Sequence, residues 1–230
     1  MVTPRVGLDS RRVVPTPPPN AGLADGYPPG EAVRRTSVTH PMTVSWIVWS
    51  GGPEGAHRSG RLGLAMAPGS RCAIPGTEDL WERSLDLDMG AMKRAGVTRL
   101  VCLLEDTEFG LLGLDDYPEV AAAAGLPFIR LPIPLHAIPG DGTAGGPTRE
   151  ALVRLVSEVV VALDSGDHVV VHCRGGLGRT GLVAGCVLRA IGYGPAAALT
   201  ALATARGDGC PETVAQRDAI LGYPDLHPVL

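Results

Sequence analysis

The chain has 230 residues, 45% of them hydrophobic, enough for one domain of ordinary size with some chain left over. A formal net charge of -4 excludes a general nucleic-acid binder, which needs a basic face against backbone phosphates, so any phosphate recognition is local. Five widely spaced cysteines (Cys72, Cys102, Cys173, Cys186, Cys210) without a CxxC pair indicate neither a disulfide framework nor a zinc site.

Residues 1–40 contain PTPPPN and GYPPG without helical or strand periodicity and read as a disordered Pro/Gly-rich tail, with the folded domain over 41–225. MVTPRVGLDSRRVV lacks the apolar stretch of a secretory signal, and no apolar run reaches about 18 residues. The expectation is a cytoplasmic protein with no membrane partner.

TVSWIVW (43–49) suits a strand, and GRLGLAMAPGSR offers another before a Pro/Gly-rich loop. SLDLDMGAMKRAG places Leu85, Met89 and Met92 at helical spacing and stops at Gly96. VTRLVCLLE reads as a buried strand, followed by the acidic residues Glu105, Asp106 and Glu108, read as a structural or solvated face. DDYPEVAAAAG predicts a short helix and PFIRLPI a strand. In TREALVRLVSEVVVALDSG, Leu152, Leu155, Val156, Val159, Val160 and Leu163 form one apolar stripe, with Thr148 as N-cap and Gly166 as stop. HVVVHC then predicts a central strand, RGGLG a tight loop, and a helix starts near Arg179. GPAAALTALATARG and ETVAQRDAILG close the chain as helices. The predicted class is α/β, a mostly parallel central sheet flanked by helices.

The chemistry sits in Val171-His172-Cys173-Arg174-Gly175-Gly176-Leu177-Gly178-Arg179-Thr180-Gly181. A strand, a glycine-rich loop and a helix start aim backbone N–H groups at an anion, and glycines let those amides approach a ligand closely. The helix start favours the thiolate form of Cys173, the candidate nucleophile. Arg179 can return over the loop and hold two phosphate oxygens in a fork. Arg174, Gly175, Gly176, Leu177 and Gly178 complete the candidate phosphate cradle. Thr180 can donate to the sulfur as a phosphocysteine breaks down, and His172 orients the loop.

This HC-x5-R-T segment resembles the signature of the cysteine-dependent protein tyrosine and dual-specificity phosphatases, with HCRGGLGRTGL most like the kinase-associated branch. The resemblance extends upstream to VTRLVCLLE with DTEFGLLG, and to GLPFIRLPI. It implies a P-loop between strand and helix and a two-step hydrolysis of phosphate monoesters through a phosphocysteine. It also implies no metal or other cofactor, and phosphotyrosine, phosphoserine or phosphothreonine in a phosphoprotein as substrate. The alternatives are a phosphoinositide or small-molecule phosphatase, a phosphate-binding module with impaired catalysis, and a sulfurtransferase, which the loop length disfavours.

The resemblance also implies an acid shortly after the Pro-Ile strand, where this chain has Leu135. Asp141, in the glycine-rich LHAIPGDGTAGGPT, is the favoured general acid, and His136 is the substitute. The bland reading of Asp141 is a turn aspartate in Gly-Asp-Gly. Gln216 resembles a glutamine that positions the hydrolytic water in related domains, against its reading as an exposed helical residue.

Overall fold

The computed structural model describes residues 33–49, 58–74 and 77–224. In chain order these form β1 (Arg34–Thr36), β2 (Ser45–Trp46), β3 (Arg61–Met66), β4 (Arg71–Ala73), β5 (Leu80–Glu82), α1 (Leu85–Arg94), β6 (Arg99–Cys102), α2 (Asp106–Leu112), α3 (Tyr117–Ala123), β7 (Phe128–Arg130), α4 (Arg149–Asp164), β8 (His168–Cys173), α5 (Gly178–Ala190), α6 (Pro195–Arg206) and α7 (Val214–Leu221).

β8 explains the architecture. Side chains alternate across a strand, and its valines and thiol divide accordingly: Val169, Val171 and Cys173 enter one core, with Val159, Leu182 and Val187. Val170 enters the other, with Met89, Met92 and Tyr117. A strand buried on both faces belongs at the centre of a parallel sheet, and β8 lies between β3 and β6 in the order β2-β3-β8-β6-β7. Its pairings with β3 and β6 are parallel, as is that of β6 with β7, while β2 runs antiparallel to β3.

α4 buries the stripe its sequence predicts, caps on the Thr148 hydroxyl, which accepts from the Ala151 N–H at 3.2 Å, and stops at Gly166 with φ 92°. α5 packs beside it, and eleven of its apolar, small and polar residues besides Arg179 are buried. α1 and α3 cover the opposite face. No helix among the described residues is long and apolar enough to cross a membrane.

Three expectations change. Ordered chain begins before residue 41: Arg34–Thr36 pairs with Leu80–Glu82 in a second sheet of order β1-β5-β4. The rest of the expected tail, residues 1–32, lies outside the described residues. The strand expected over 43–49 shrinks to Ser45–Trp46, since β2 is an edge with one partner. DTEFGLLG, assigned no element from sequence, contains α2.

Candidate active site

β8 delivers Cys173 to the carboxyl end of the sheet, and the next residues turn before α5 begins at Gly178. The turn is held from outside. The Arg174 carbonyl accepts from the Ala67 N–H at 3.1 Å, and Arg206 donates through Nη2 to the Gly175 carbonyl and through Nε to that of Gly176, each at 3.1 Å. Gly176 takes φ 72°, and a Cβ there would lie 2.2 Å from the Ala65 carbonyl oxygen, so the close approach to β3 demands glycine. With the carbonyls bound outward, the N–H groups of Gly175 through Arg179 have no acceptor among the described residues, the arrangement of an anion nest.

Arg179 is 2% exposed and fixed by α2. Its Nη1 donates to Glu108 Oε2 at 2.6 Å and to the Ile133 carbonyl at 3.0 Å, and its Nη2 donates to Glu108 Oε1 at 2.8 Å. Of the five N–H bonds of a guanidinium, Nε–H and the second Nη2–H keep no protein acceptor among the described residues. They form an adjacent pair spaced for two oxygens of one phosphate. Burial pushes the Glu108 carboxyl up, but the Arg179 fork and the Glu105 N–H outweigh it and hold the group below its ordinary value. Burial alone would lower Arg179, and the Glu108 carboxylate reverses this and keeps it firmly cationic.

His172, fully buried on the opposite side of β8 from Cys173, shares a hydrogen bond of 2.6 Å between its Nε2 and the Tyr117 hydroxyl. Burial, with the Arg179 charge adding to it, brings His172 down to about 4, so a neutral imidazole supports the loop at pH 7. Thr180 is fully buried and its hydroxyl has no hydrogen-bond partner. Gln216 is fully buried, not exposed: its Oε1 accepts from the N–H groups of Glu212 and Thr213 at 3.2 and 3.1 Å, and its Nε2 is unpartnered.

Above the loop lies a cavity of about 230 Å³. Cys173, Arg174, Gly175, Leu177, Gly178 and Arg179 line it from the loop; Cys72 and Trp81 from the second sheet; Leu135 and His136 from the segment after β7; Glu212 and Gln216 from the approach to α7.

Residues 81–192 match the family described as polymorphic toxin system, DSP-PTPase phosphatase (Tc-R-P). Cyclin-dependent kinase inhibitor 3 of Sus scrofa is 26% identical over 189 residues, 80% of each chain. A crystal structure of kinase-associated phosphatase with serine for its catalytic-site cysteine superposes with TM-score 0.62 at 22% identity, over 78% of this chain and 92% of that one. Tk-PTP in its active form gives TM-score 0.50 at 21% identity, over 75% and 95%. Over residues 81–192 the chain is therefore similar to the dual-specificity phosphatases, and it shares their fold.

The structure brings His136, not Asp141, to the cavity. Asp141 is exposed in its own turn: Oδ2 accepts from the Ile138 N–H and Oδ1 from the Thr143 N–H, both at 2.8 Å. The Ile138 N–H, followed by Thr143, holds its carboxyl below the usual value, which is the wrong direction for a proton donor. It faces a different depression, with Arg149 and Tyr223. His136 is the one described non-glycine residue with positive φ, 64°, in a turn closed by the Ala137 N–H on the Pro134 carbonyl at 3.0 Å. That backbone costs an L-residue about 1–2 kcal/mol and sets the imidazole beside the loop.

Sequence reasoning missed four contributors. Glu108 was read only as part of a structural or solvated face, although its place three residues after Glu105 at a helix start is a capping-box signal; Asp106 is the member of that cluster that stays exposed, at 85% of its side chain. Arg206 shows itself only once α6 is placed behind the loop. Trp81 and Glu212 had no sequence signal. Cys210 is 3% exposed with its Sγ 3.5 Å from the Leu177 carbonyl, and burial pushes its thiol up to about 12.

Proposed function

We propose that this protein hydrolyses phosphate monoesters through a phosphocysteine on Cys173, with phosphotyrosine in proteins as its preferred substrate class. The observation that carries this reading is the set of N–H groups from Gly175 to Arg179, turned inward without protein acceptors beside the free edge of Arg179. They match the three peripheral oxygens of a phosphoryl group, whose charge they stabilise in the transition state.

In the first step the Cys173 thiolate attacks phosphorus. The S–P bond forms, the ester P–O bond breaks, and the leaving oxygen takes its electron pair together with a proton from the His136 imidazolium. In the second step water attacks phosphorus, the P–S bond breaks, and the thiolate returns as inorganic phosphate leaves. The unpartnered Thr180 hydroxyl is placed in the next helical position after Arg179 to donate to the departing sulfur. The amides, Arg179 and Thr180 supply the charge stabilisation, so the scheme uses no metal.

Trp81 supports the phosphotyrosine preference. It forms part of the cavity wall, and the Arg83 guanidinium lies 5.1 Å from its ring centroid. A half-buried indole held in this way offers a face to an aryl ester but little to the short side chain of phosphoserine.

The test is hydrolysis of para-nitrophenyl phosphate by wild type and Cys173→Ser with chelator and reductant present, followed by phosphotyrosine and phosphoserine peptides. Activity in the wild type that disappears in the serine variant is expected. An inactive wild type that still binds vanadate would instead make the chain a phosphate-binding module. Trp81→Ala should lower kcat/KM for the phosphotyrosine peptide by about fivefold and leave phosphoserine turnover unchanged; equal losses on both would remove the aryl-recognition role.

A further inference from the structure

Among the residues lining the cavity, one carboxylate has no role in the scheme above. Glu212 lies immediately before α7, is exposed, and forms no ion pair among the described residues. The capping box of α7 fixes its surroundings: the Thr213 hydroxyl accepts from the Gln216 N–H at 3.2 Å, while Gln216 Oε1 accepts from the N–H groups of Thr213 and Glu212. An amide whose oxygen takes two backbone donors has only one orientation, which leaves the buried Gln216 Nε2 as the end without a partner. Both side chains pack against Gly178, where an added Cβ would lie 2.7 Å from Glu212 Oε2, 2.9 Å from Gln216 Nε2 and 3.0 Å from Gln216 Oε1, so the two are neighbours on the cavity wall. A buried, unpartnered donor and a carboxylate acceptor therefore stand side by side on the wall of the cavity that Cys173 lines, next to the residue before Arg179.

A small group in the cavity that bridges the two has to accept from Gln216 and donate to Glu212. A phosphate oxygen satisfies the amide but is repelled by the carboxylate, whereas water satisfies both. We infer that Glu212 is the proton acceptor for the water that hydrolyses the phosphocysteine, with Gln216 holding that water in place. The inference rests on the phosphocysteine reading above. As the water oxygen bonds to phosphorus, its proton passes to Glu212 Oε2, the P–S bond breaks, and the electron pair returns to Cys173 Sγ. His136 serves the first step and Glu212 the second, so the two proton transfers belong to different side chains.

The experiment is rapid-quench kinetics of wild type, Glu212→Gln and Glu212→Asp on para-nitrophenyl phosphate, with acid trapping of the phosphoenzyme from a radiolabelled substrate. Glu212 is exposed, so folding of the variants is checked simply by circular dichroism. In Glu212→Gln the first turnover should release nitrophenol at the wild-type rate, steady-state kcat should fall about 100-fold, and trapped phosphocysteine should rise towards one per site. Glu212→Asp should recover part of the loss. Unchanged kcat with no rise in trapped phosphocysteine would overturn the inference, and so would a first turnover slowed as much as the steady state. A wild type that hydrolyses nothing would overturn both this inference and the proposed function, whereas an active wild type with an indifferent Glu212→Gln overturns this inference alone.

Discussion

The loop Cys173–Arg179 and the segment Pro134–Pro147 meet at the same cavity but are held in opposite ways. The loop is tied to distant parts of the chain: Ala67 and Arg206 hold its carbonyls, and Glu108 and Ile133 hold Arg179. The segment is tied mostly to itself, by Ala137 on Pro134, Asp141 on Ile138, Gly146 on Thr143 and Gly140 on Pro147, and its residues from Asp141 to Gly145 are exposed. An anion site works by donors fixed before the substrate arrives, which long-range ties provide. A proton donor needs only reach, which a locally closed turn provides, and the identity of that donor can change without disturbing the core.

If the loop's power lies in fixed donors, the largest loss should come from its arginine. Arg179→Ala should lower kcat by about 10³-fold, and Arg179→Lys should recover little, because an ammonium cannot bond Glu108 through two parallel N–H groups and still present an edge to phosphate. Full recovery by lysine would mean that charge alone matters and that the fork to Glu108 is incidental.

The loop's support is also pH-sensitive. His172 is brought to about 4 in the fold, against an ordinary 6.5, by burial first. The unfolded chain therefore binds the extra proton between these values. The contribution of neutral His172 is fully present above pH 6.5 and is lost as pH falls toward 4, an effect of about 3 kcal/mol in total. Thermal melts of wild type and His172→Asn between pH 7.5 and 4.5 measure it: the wild-type midpoint should fall more steeply than that of the variant. Parallel slopes would mean that His172 is protonated in the fold.

The comparison also explains what could be read from sequence. The loop announces itself because amide donors, glycines and arginine must stand at fixed spacing in one short stretch, so Cys173, Gly176 and Arg179 were all legible. The sheet and most helices were legible for a similar reason: alternation in HVVVHC and the stripe of α4 are local patterns. What was illegible depends on tertiary placement. Glu108 is an ordinary helix-start acid until α2 is set against Arg179, Arg206 an ordinary helix residue until α6 is set behind the loop, and Arg34–Thr36 a tail until Leu80–Glu82 gives it a partner. Asp141 and His136 lie in one glycine-rich stretch with no periodicity to say which of them turns inward.

The segment's side of the comparison is sharpened by His136→Asn, since asparagine tolerates the positive φ better than most residues but cannot donate as imidazolium does. It should slow turnover of an alkyl or phenyl phosphate by about 100-fold and that of para-nitrophenyl phosphate, whose leaving group needs little help, far less. Equal slowing on both esters would point to a lost turn and not to a lost acid.

The smallest effect is expected at Asp141, where the two readings of the sequence part. Its carboxylate oxygens are both bound to backbone N–H groups inside the turn, and that bonding holds it ionised. Asp141→Asn keeps one acceptor oxygen for the turn, so kcat should change by no more than about twofold on good and poor leaving groups alike. A selective loss on the poor leaving group would require the carboxylate to abandon both N–H groups and swing to the cavity during turnover. The segment's local ties would then be a latch and Asp141 the acid, with His136→Asn showing the smaller effect of the two. Measuring both variants on the same pair of esters decides between a fixed turn and a moving one.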